Sequence, residues 1–247
     1  MINQYFDHFI DDLKTTHGDN LVSVILYGSA AAGDFVPFRS DYNVLVALER
    51  ITPYDLRNAH ACMREWTKLG HPVPVYFTVK ELEKAGDVFP IEFHFMERAR
   101  RVLYGRDVLE GLEISDKNLR HQVEYELRSS FAKLRRKYID ASTSSARLVE
   151  LMAASLTSFA AVFRALLLLR GVEPPVEKDE IMERIVGTLG IEGEAFEKIL
   201  DIRENEDYLK MDVLAANELF ERYLEQIEGV IDSVDALGEI VADGQRG

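Results

Sequence analysis

The hydrophobic positions of this chain change their period near residue 115. Before it, short β-branched and aliphatic runs alternate with stretches whose apolar residues recur at steps of three and four, the pattern of strands interleaved with helices. After it, the three-and-four step dominates. The expected architecture is α+β: an N-terminal mixed sheet with flanking helices over residues 1–114, then an all-helical bundle over residues 115–247.

In the first part, Phe6, Phe9, Ile10 and Leu13 share one face of a helix predicted over residues 3–15, with Gly18 just past its end. Residues 21–28, LVSVILYG, read as a strand, and residues 42–48, YNVLVAL, as a second. Pro53 suits the first turn of a helix, which Leu56, Ala59, Met63 and Trp66 carry up to Gly70. Residues 73–79 read as a third strand, placed at an edge or irregular at its start by Pro72 and Pro74. A short helix is expected over residues 80–85. Residues 91–104 fit either type. His94, between Phe93 and Phe95, is read there as a packed or surface strand residue, and residues 101–104 as a short strand ended by Gly105.

In the second part, Ser115 is expected to cap a helix whose apolar face is Leu119, Val123, Leu127, Phe131, Leu134 and Tyr138. A second long helix is predicted over residues 146–170, stopped by Gly171 and Pro174–Pro175. Shorter helices are expected over 179–189 and 194–203, and a last one over 213–241, followed by a loose tail. The most apolar stretch, residues 151–169, contains Arg164 and several Ser and Thr. It reads as a buried bundle helix rather than a membrane span.

Charge narrows the function classes. A formal net charge of −14 over 247 residues argues against broad electrostatic binding to nucleic acid or to an anionic membrane. The single cysteine, Cys62, excludes an intrachain disulfide and a cysteine zinc cluster, and fits a reducing, cytoplasmic setting. The first dozen residues carry acids and lack a basic start and a long apolar run, so no signal peptide is expected.

The chemistry is concentrated in LYGSAAAGDFVPFRSDYNVLVAL. A strand ends at Tyr27, and Gly28 permits a tight turn with close approach of a phosphate to the backbone. Ser29 adds a hydroxyl and a backbone N–H. Ala30, Ala31 and Ala32 favour a helix whose first amides point at an anion. Eleven residues separate Ser29 from Asp41, which opens the second strand and sets a carboxylate beside the turn.

This constellation resembles the nucleotidyltransferase superfamily typified by DNA polymerase β, kanamycin nucleotidyltransferase and the small antitoxin-like nucleotidyltransferases. The family signature is a hydrophobic residue, Gly, then Gly or Ser, a spacer, and acid–hydrophobic–acid–hydrophobic. Here it reads Tyr27-Gly28-Ser29, the spacer, and Ser40 followed by Asp41-Tyr42-Asn43-Val44. The resemblance covers the N-terminal part, and the all-helical second part also suits the family. It implies Gly28 and Ser29 on the triphosphate of an NTP, Asp41 as catalytic and metal-binding carboxylate, and Mg²⁺ as cofactor. It also implies a basic residue from the helical part reaching the triphosphate, for which Lys133 and Lys137, one turn apart, are the candidates. A run of charge of this kind also reads as a solvated helix face.

The sequence departs from the family at the metal site. The second acid is Asn43, which offers Mg²⁺ a neutral carbonyl oxygen. The third acid is expected near Val75, where neither Asp nor Glu occurs; Asp34, Glu81 and Glu92 are the alternatives that would fill in. Ala32 stands where members often carry arginine. About one negative charge therefore faces a site built for three, and each missing charge at contact distance is worth on the order of several kcal/mol. Two readings result. One is an NTP-dependent transferase moving a nucleoside monophosphate to a hydroxyl or protein side chain, weak or inactive because its Mg²⁺ site is depleted. The other is a non-catalytic nucleotide- or phosphate-binding regulatory protein that acts through a protein partner or homodimer.

Overall fold

The computed structural model describes residues 2–32, 41–175, 177–205 and 211–244. They divide into two compact units, Met1–Asn118 and Leu119–Gly247.

The first unit is built on a four-stranded mixed sheet of order β3-β2-β1-β4. β1 (Leu21–Tyr27) pairs antiparallel with both β2 (Asn43–Leu48) and β4 (Arg100–Gly105), while β3 (Val75–Thr78) lies parallel to β2. The two central strands are covered on both faces, which is why they read as continuous apolar runs. On one face Val24, Leu26, Val44, Val46 and Leu48 meet Phe6, Phe9, Ile10 and Leu13 of α1 (Ile2–His17) and Cys62, Met63 and Trp66 of α4 (His60–Lys68). On the other face Ile25, Leu45 and Ala47 meet Leu82 of α5 (Val79–Leu82) and Phe93 and Met96 of α6 (Pro90–Arg98). The short helix α2 (Ser29–Ala32) follows β1 directly.

Two elements differ from the sequence expectation. The single helix expected from Pro53 is broken at Ala59 into α3 (Pro53–Asn58) and α4. The first piece is a self-contained capped turn: Thr52 and Asp55 form a reciprocal capping box with Pro53 in the first turn. Residues 90–98, including His94, are helical rather than extended. Proline opens α6, and Pro90, Phe93 and Met96, three residues apart, form its buried face. The alternating Phe-His-Phe imitated a strand period by chance.

Gly105 closes β4 at φ +76°, where an added Cβ would lie 1.9 Å from the Val22 carbonyl oxygen. The neighbouring register of β1 is irregular, and Ser23, fully buried, donates its hydroxyl to the Tyr104 carbonyl at 3.2 Å. Only glycine fits where these two strands converge.

The second unit contains most of α7 (Asp116–Ala141), then α8 (Ser145–Leu169), α9 (Lys178–Leu189), α10 (Glu194–Asn205) and α11 (Val213–Gly244). By length and composition alone α8 would suffice to cross a membrane. Its apolar residues instead form the middle of the bundle: Leu148, Met152, Phe159, Phe163, Ala165, Leu166 and Leu167 are all essentially inaccessible. The Ser155 and Tyr223 hydroxyls bond each other at 2.9 Å inside this core. Tyr138 stacks on Phe220 with ring centroids 4.3 Å apart and donates to Asn217 Oδ1 at 2.6 Å, fastening α7 to α11.

At the end of α1, His17 is buried with neither ring nitrogen hydrogen-bonded, its ring edge-on to Tyr76. Burial holds its pKa below 6.5, against a smaller upward pull from Asp55. The unfolded chain takes up a proton at about 6.5 that the folded one resists, so stability is intact above that pH. It falls as the pH drops from there through the lower folded value. Thermal melts between about pH 7.5 and 5.5 should show this decline, and His17→Phe should flatten it. Gly105→Ala should destabilise the first unit by about 2–4 kcal/mol in urea titrations, combining a positive-φ cost with a backbone clash.

Candidate functional site

The register of β1 and β2 assembles the site. Tyr27, the last residue of β1, is the partner of Asn43, the first of β2. The turn after Tyr27 and the residues before Asn43 therefore lie side by side. Gly28 adopts φ +78°, and a Cβ on it would sit 3.5 Å from the Asn43 amide nitrogen. Asn43 is half-buried, while Asp41, two residues earlier and outside the ladder, is exposed. Gly28 and Asn43 are thus brought together, with Asp41 two residues before Asn43 in the chain. Ser40 and Asp34 lie outside the described residues.

The turn is anchored from α6. The Gly28 N–H donates to the Ala99 carbonyl at 3.0 Å, and the Ala31 N–H returns to the Gly28 carbonyl at 2.9 Å. The Gly28 amide is committed to the protein. The amides left for an anion in this turn are those at the start of α2, Ser29 and Ala30, which have no acceptor within so short a helix.

The acids expected to compensate for Asn43 fall in different places. β3 carries Val75, Tyr76, Phe77 and Thr78, with Val75 opposite Leu45 and 38% exposed. Glu81 caps α5: its carboxylate accepts from the Thr78 N–H at 2.7 Å and the Thr78 hydroxyl at 2.8 Å. Those bonds hold its pKa below the usual carboxylate range. Glu92, in the first turn of α6, lies near enough for its charge to raise the Tyr27 phenol, although burial is the larger cause. Among the described residues, no three His, Cys, Asp or Glu side chains gather where they could hold a metal ion.

The fold adds a residue that spacing could not reveal. His71 is half-buried between two rings, its centroid 4.7 Å from Tyr42 and 4.8 Å from Trp66. Burial lowers its pKa, and the nearby Asp41 charge opposes that. His71 is thirty residues from Asp41 in the chain, and its ring contacts with Tyr42 and Trp66 hold it on this part of the unit. Lys133 and Lys137 are exposed on α7 in the second unit. Their neighbours Arg128 and Arg135 pair with Asp235 and Glu228 of α11.

A glycine turn between two antiparallel central strands, an acid position beside it and a parallel third strand define the nucleotidyltransferase fold. Among solved structures, the spectinomycin adenyltransferase AAD(9) from Enterococcus faecialis, solved with ATP and spectinomycin, has this fold. It aligns with a TM-score of 0.54 over 90% of this chain and 99% of its own, at 17% identity. Agreement at that identity is agreement of fold. No protein-family model matches the chain, and no curated protein matches it.

Because Gly28 is held at positive φ with ordinary space around its missing Cβ, Gly28→Ala should cost about 1–2 kcal/mol, set by the backbone alone. Urea titration measures that figure; a much larger loss would mean that the turn cannot accept a methyl.

Proposed function

We propose that the first unit binds a nucleoside triphosphate at the Gly28–Ser29 turn, and that nucleoside monophosphate transfer from it to a hydroxyl or protein side chain is slow or absent. The observation that supports this reading is the Tyr27–Asn43 pairing: the Gly28 turn lies beside a neutral amide where the family pattern has a metal-binding acid. ATP is the first ligand to try, being the nucleotide bound in the solved structure of the same fold.

The donor set fits one Mg²⁺ better than two. Mg²⁺ binds readily through one or two protein oxygens when nucleotide phosphates supply the rest. Asp41 and the Asn43 carbonyl oxygen meet that need. A second ion would require further carboxylates, and β3 offers none. Bound Mg²⁺ would neutralise phosphate charge and help orient the nucleotide. The protein's share of the work is placement: turn amides on phosphate oxygens, Asp41 toward the cation, and α6 holding the turn through Ala99.

The same depletion favours a second reading, a nucleotide-binding regulatory protein without turnover. The two readings share their first step and part only at chemistry.

Calorimetric titration with ATP and GTP, with and without Mg²⁺, tests the shared step. Binding should strengthen with Mg²⁺ and be lost in Ser29→Ala. Asn43→Asp should strengthen the Mg²⁺-dependent part by about tenfold or more, equivalent to ~1.4 kcal/mol. No binding by the wild-type protein would overturn both readings of this cleft.

A further inference from the structure

The second unit carries a groove that the nucleotide reading does not use. Residues 190–193 join α9 to α10 as a helical hairpin. At the joined end the helices approach closely: a Cβ added at Gly193 would lie 2.6 Å from a Val186 methyl carbon. Beyond that contact they leave a cavity of about 150 Å³ between them.

The floor of the cavity is apolar and firmly held. Met182 and Phe196 are buried, with Val186 and Leu200 half-buried at its sides. Phe196 packs against Phe163 of α8 and Tyr223 of α11, with ring centroids 5.9 and 6.0 Å away. Its N–H donates to the amide oxygen of buried Gln226 at 3.3 Å. A cavity of this size has room for an apolar group from outside.

The lips are acidic. Asp179 and Glu183 stand one turn apart on α9, and Glu197 and Asp201 one turn apart on α10; all four line the groove and are exposed. Like charges at that spacing share a face and destabilise their own helix. Asp179 and Glu197 lie in first turns, where the helix dipole favours a carboxylate. Glu183 and Asp201 lack that compensation. Among the described residues no Lys or Arg lines the groove, and Asp179, Glu183 and Glu197 form no ion pair. Lys178, at the open end, reaches Thr157 of α8 at 3.5 Å instead.

The carboxylates do not converge on one point: among the described residues no three such groups gather to hold a metal ion. They form two rows of negative charge, one on each side of an apolar floor, along helices of 12 residues. The complement of that pattern is a helix with apolar residues on one stripe and cations along both borders.

We propose that the α9–α10 groove docks a basic amphipathic helix of a partner protein, with its apolar side chains over Met182 and Phe196 and its Lys or Arg side chains on the two acidic lips. A second copy of this chain is the poorer occupant, because a net charge of −14 opposes self-association.

The probe is a labelled peptide of about 18 residues, five helical turns, made of Leu, Lys and Ala. Its leucines lie on one helical stripe and its lysines border that stripe. Fluorescence anisotropy with the full-length protein at ~150 mM salt, where exposed charges are screened, should show saturable one-to-one binding. A peptide of the same composition with its leucines scattered around the helix should bind about tenfold more weakly or worse. Glu183→Lys combined with Glu197→Lys reverses one exposed charge on each lip, and should also weaken binding by about tenfold or more. Glu110→Lys combined with Glu113→Lys, at two exposed acids of the first unit, should leave binding unchanged. No saturable binding, equal binding of the scattered peptide, or an equal loss on reversing either acid pair overturns the proposal. So does a wild-type dimer in light scattering that Glu183→Lys with Glu197→Lys dissociates, since the groove then belongs to a second copy.

Discussion

Everything at the candidate site depends on the pairing of β1 with β2. Val24, Ile25 and Leu26 of β1 and Val44 through Leu48 of β2 are at most 2% exposed, so these strands are wrapped by helices on both faces. A slip of one residue would move Val24 and Leu26 into the layer of Phe93 and Met96, and Ile25 into that of Phe9 and Trp66. The two layers are filled by side chains of different shape, so such a slip would leave voids on one face and crowding on the other. The core thereby fixes that Tyr27 faces Asn43, and so that Gly28 turns beside Asn43. A chemical relation between residues far apart in sequence is set by the packing of side chains that take no part in it.

Much of this was legible in the chain, and the parts that were not share a physical reason. Continuous apolar runs bounded by turn formers gave β1 and β2, because strands covered on both faces leave that trace. The long helices were legible because Leu119 through Tyr138 and the residues of α8 repeat at the helical step over many turns. Segments too short for periodicity to decide were less so. Over residues 90–98 the alternating Phe93-His94-Phe95 competed with the three-residue step from Pro90 to Met96, and proline at the helix start was the signal that could have settled it. The break at Ala59 was hidden because α3 and α4 share one apolar rhythm. The contact of His71 with Tyr42 was out of reach for another reason: it is non-local, and no local pattern encodes it. The nearness of Gly28 to Asn43 was readable because one short strand–turn–strand segment contains both.

The second unit shows how a charged helix face can be spent internally. The basic run on α7 resembled a phosphate-binding surface in sequence. In the folded chain Arg128 and Arg135 reach across to Asp235 and Glu228 of α11, on the side where Tyr138 stacks on Phe220. These ion pairs are half-exposed, so each is worth only about 0–1 kcal/mol. The buried Leu127, Phe131 and Leu134 on the same helix provide the greater share of its attachment. The arginines fix alignment between helices, and Lys133 and Lys137 are left on the exposed face.

On the proposed reading, the local charge beside Asn43 is the quantity on which activity would turn. A net charge of −14 does not stand in for missing ligands, because exposed charges are screened over about 8–10 Å at ordinary salt. A cation responds to oxygens at contact distance. Of the acids nearby, Glu81 is closed into the cap of α5. Glu92 sits at the start of α6, on the Tyr27 side of the sheet. Asp41 is exposed, two residues before the start of the β2 ladder. The fold keeps a glycine turn beside Asn43, while the β3 positions Val75 to Thr78 are neutral. On the proposed reading, such a site would retain the Coulombic attraction for one nucleotide-bound cation and lack it for a second. On that reading binding and transfer would be separable properties: phosphate contacts and a single cation would support the first, whereas the second would lack the charge that stabilises the attacking oxygen.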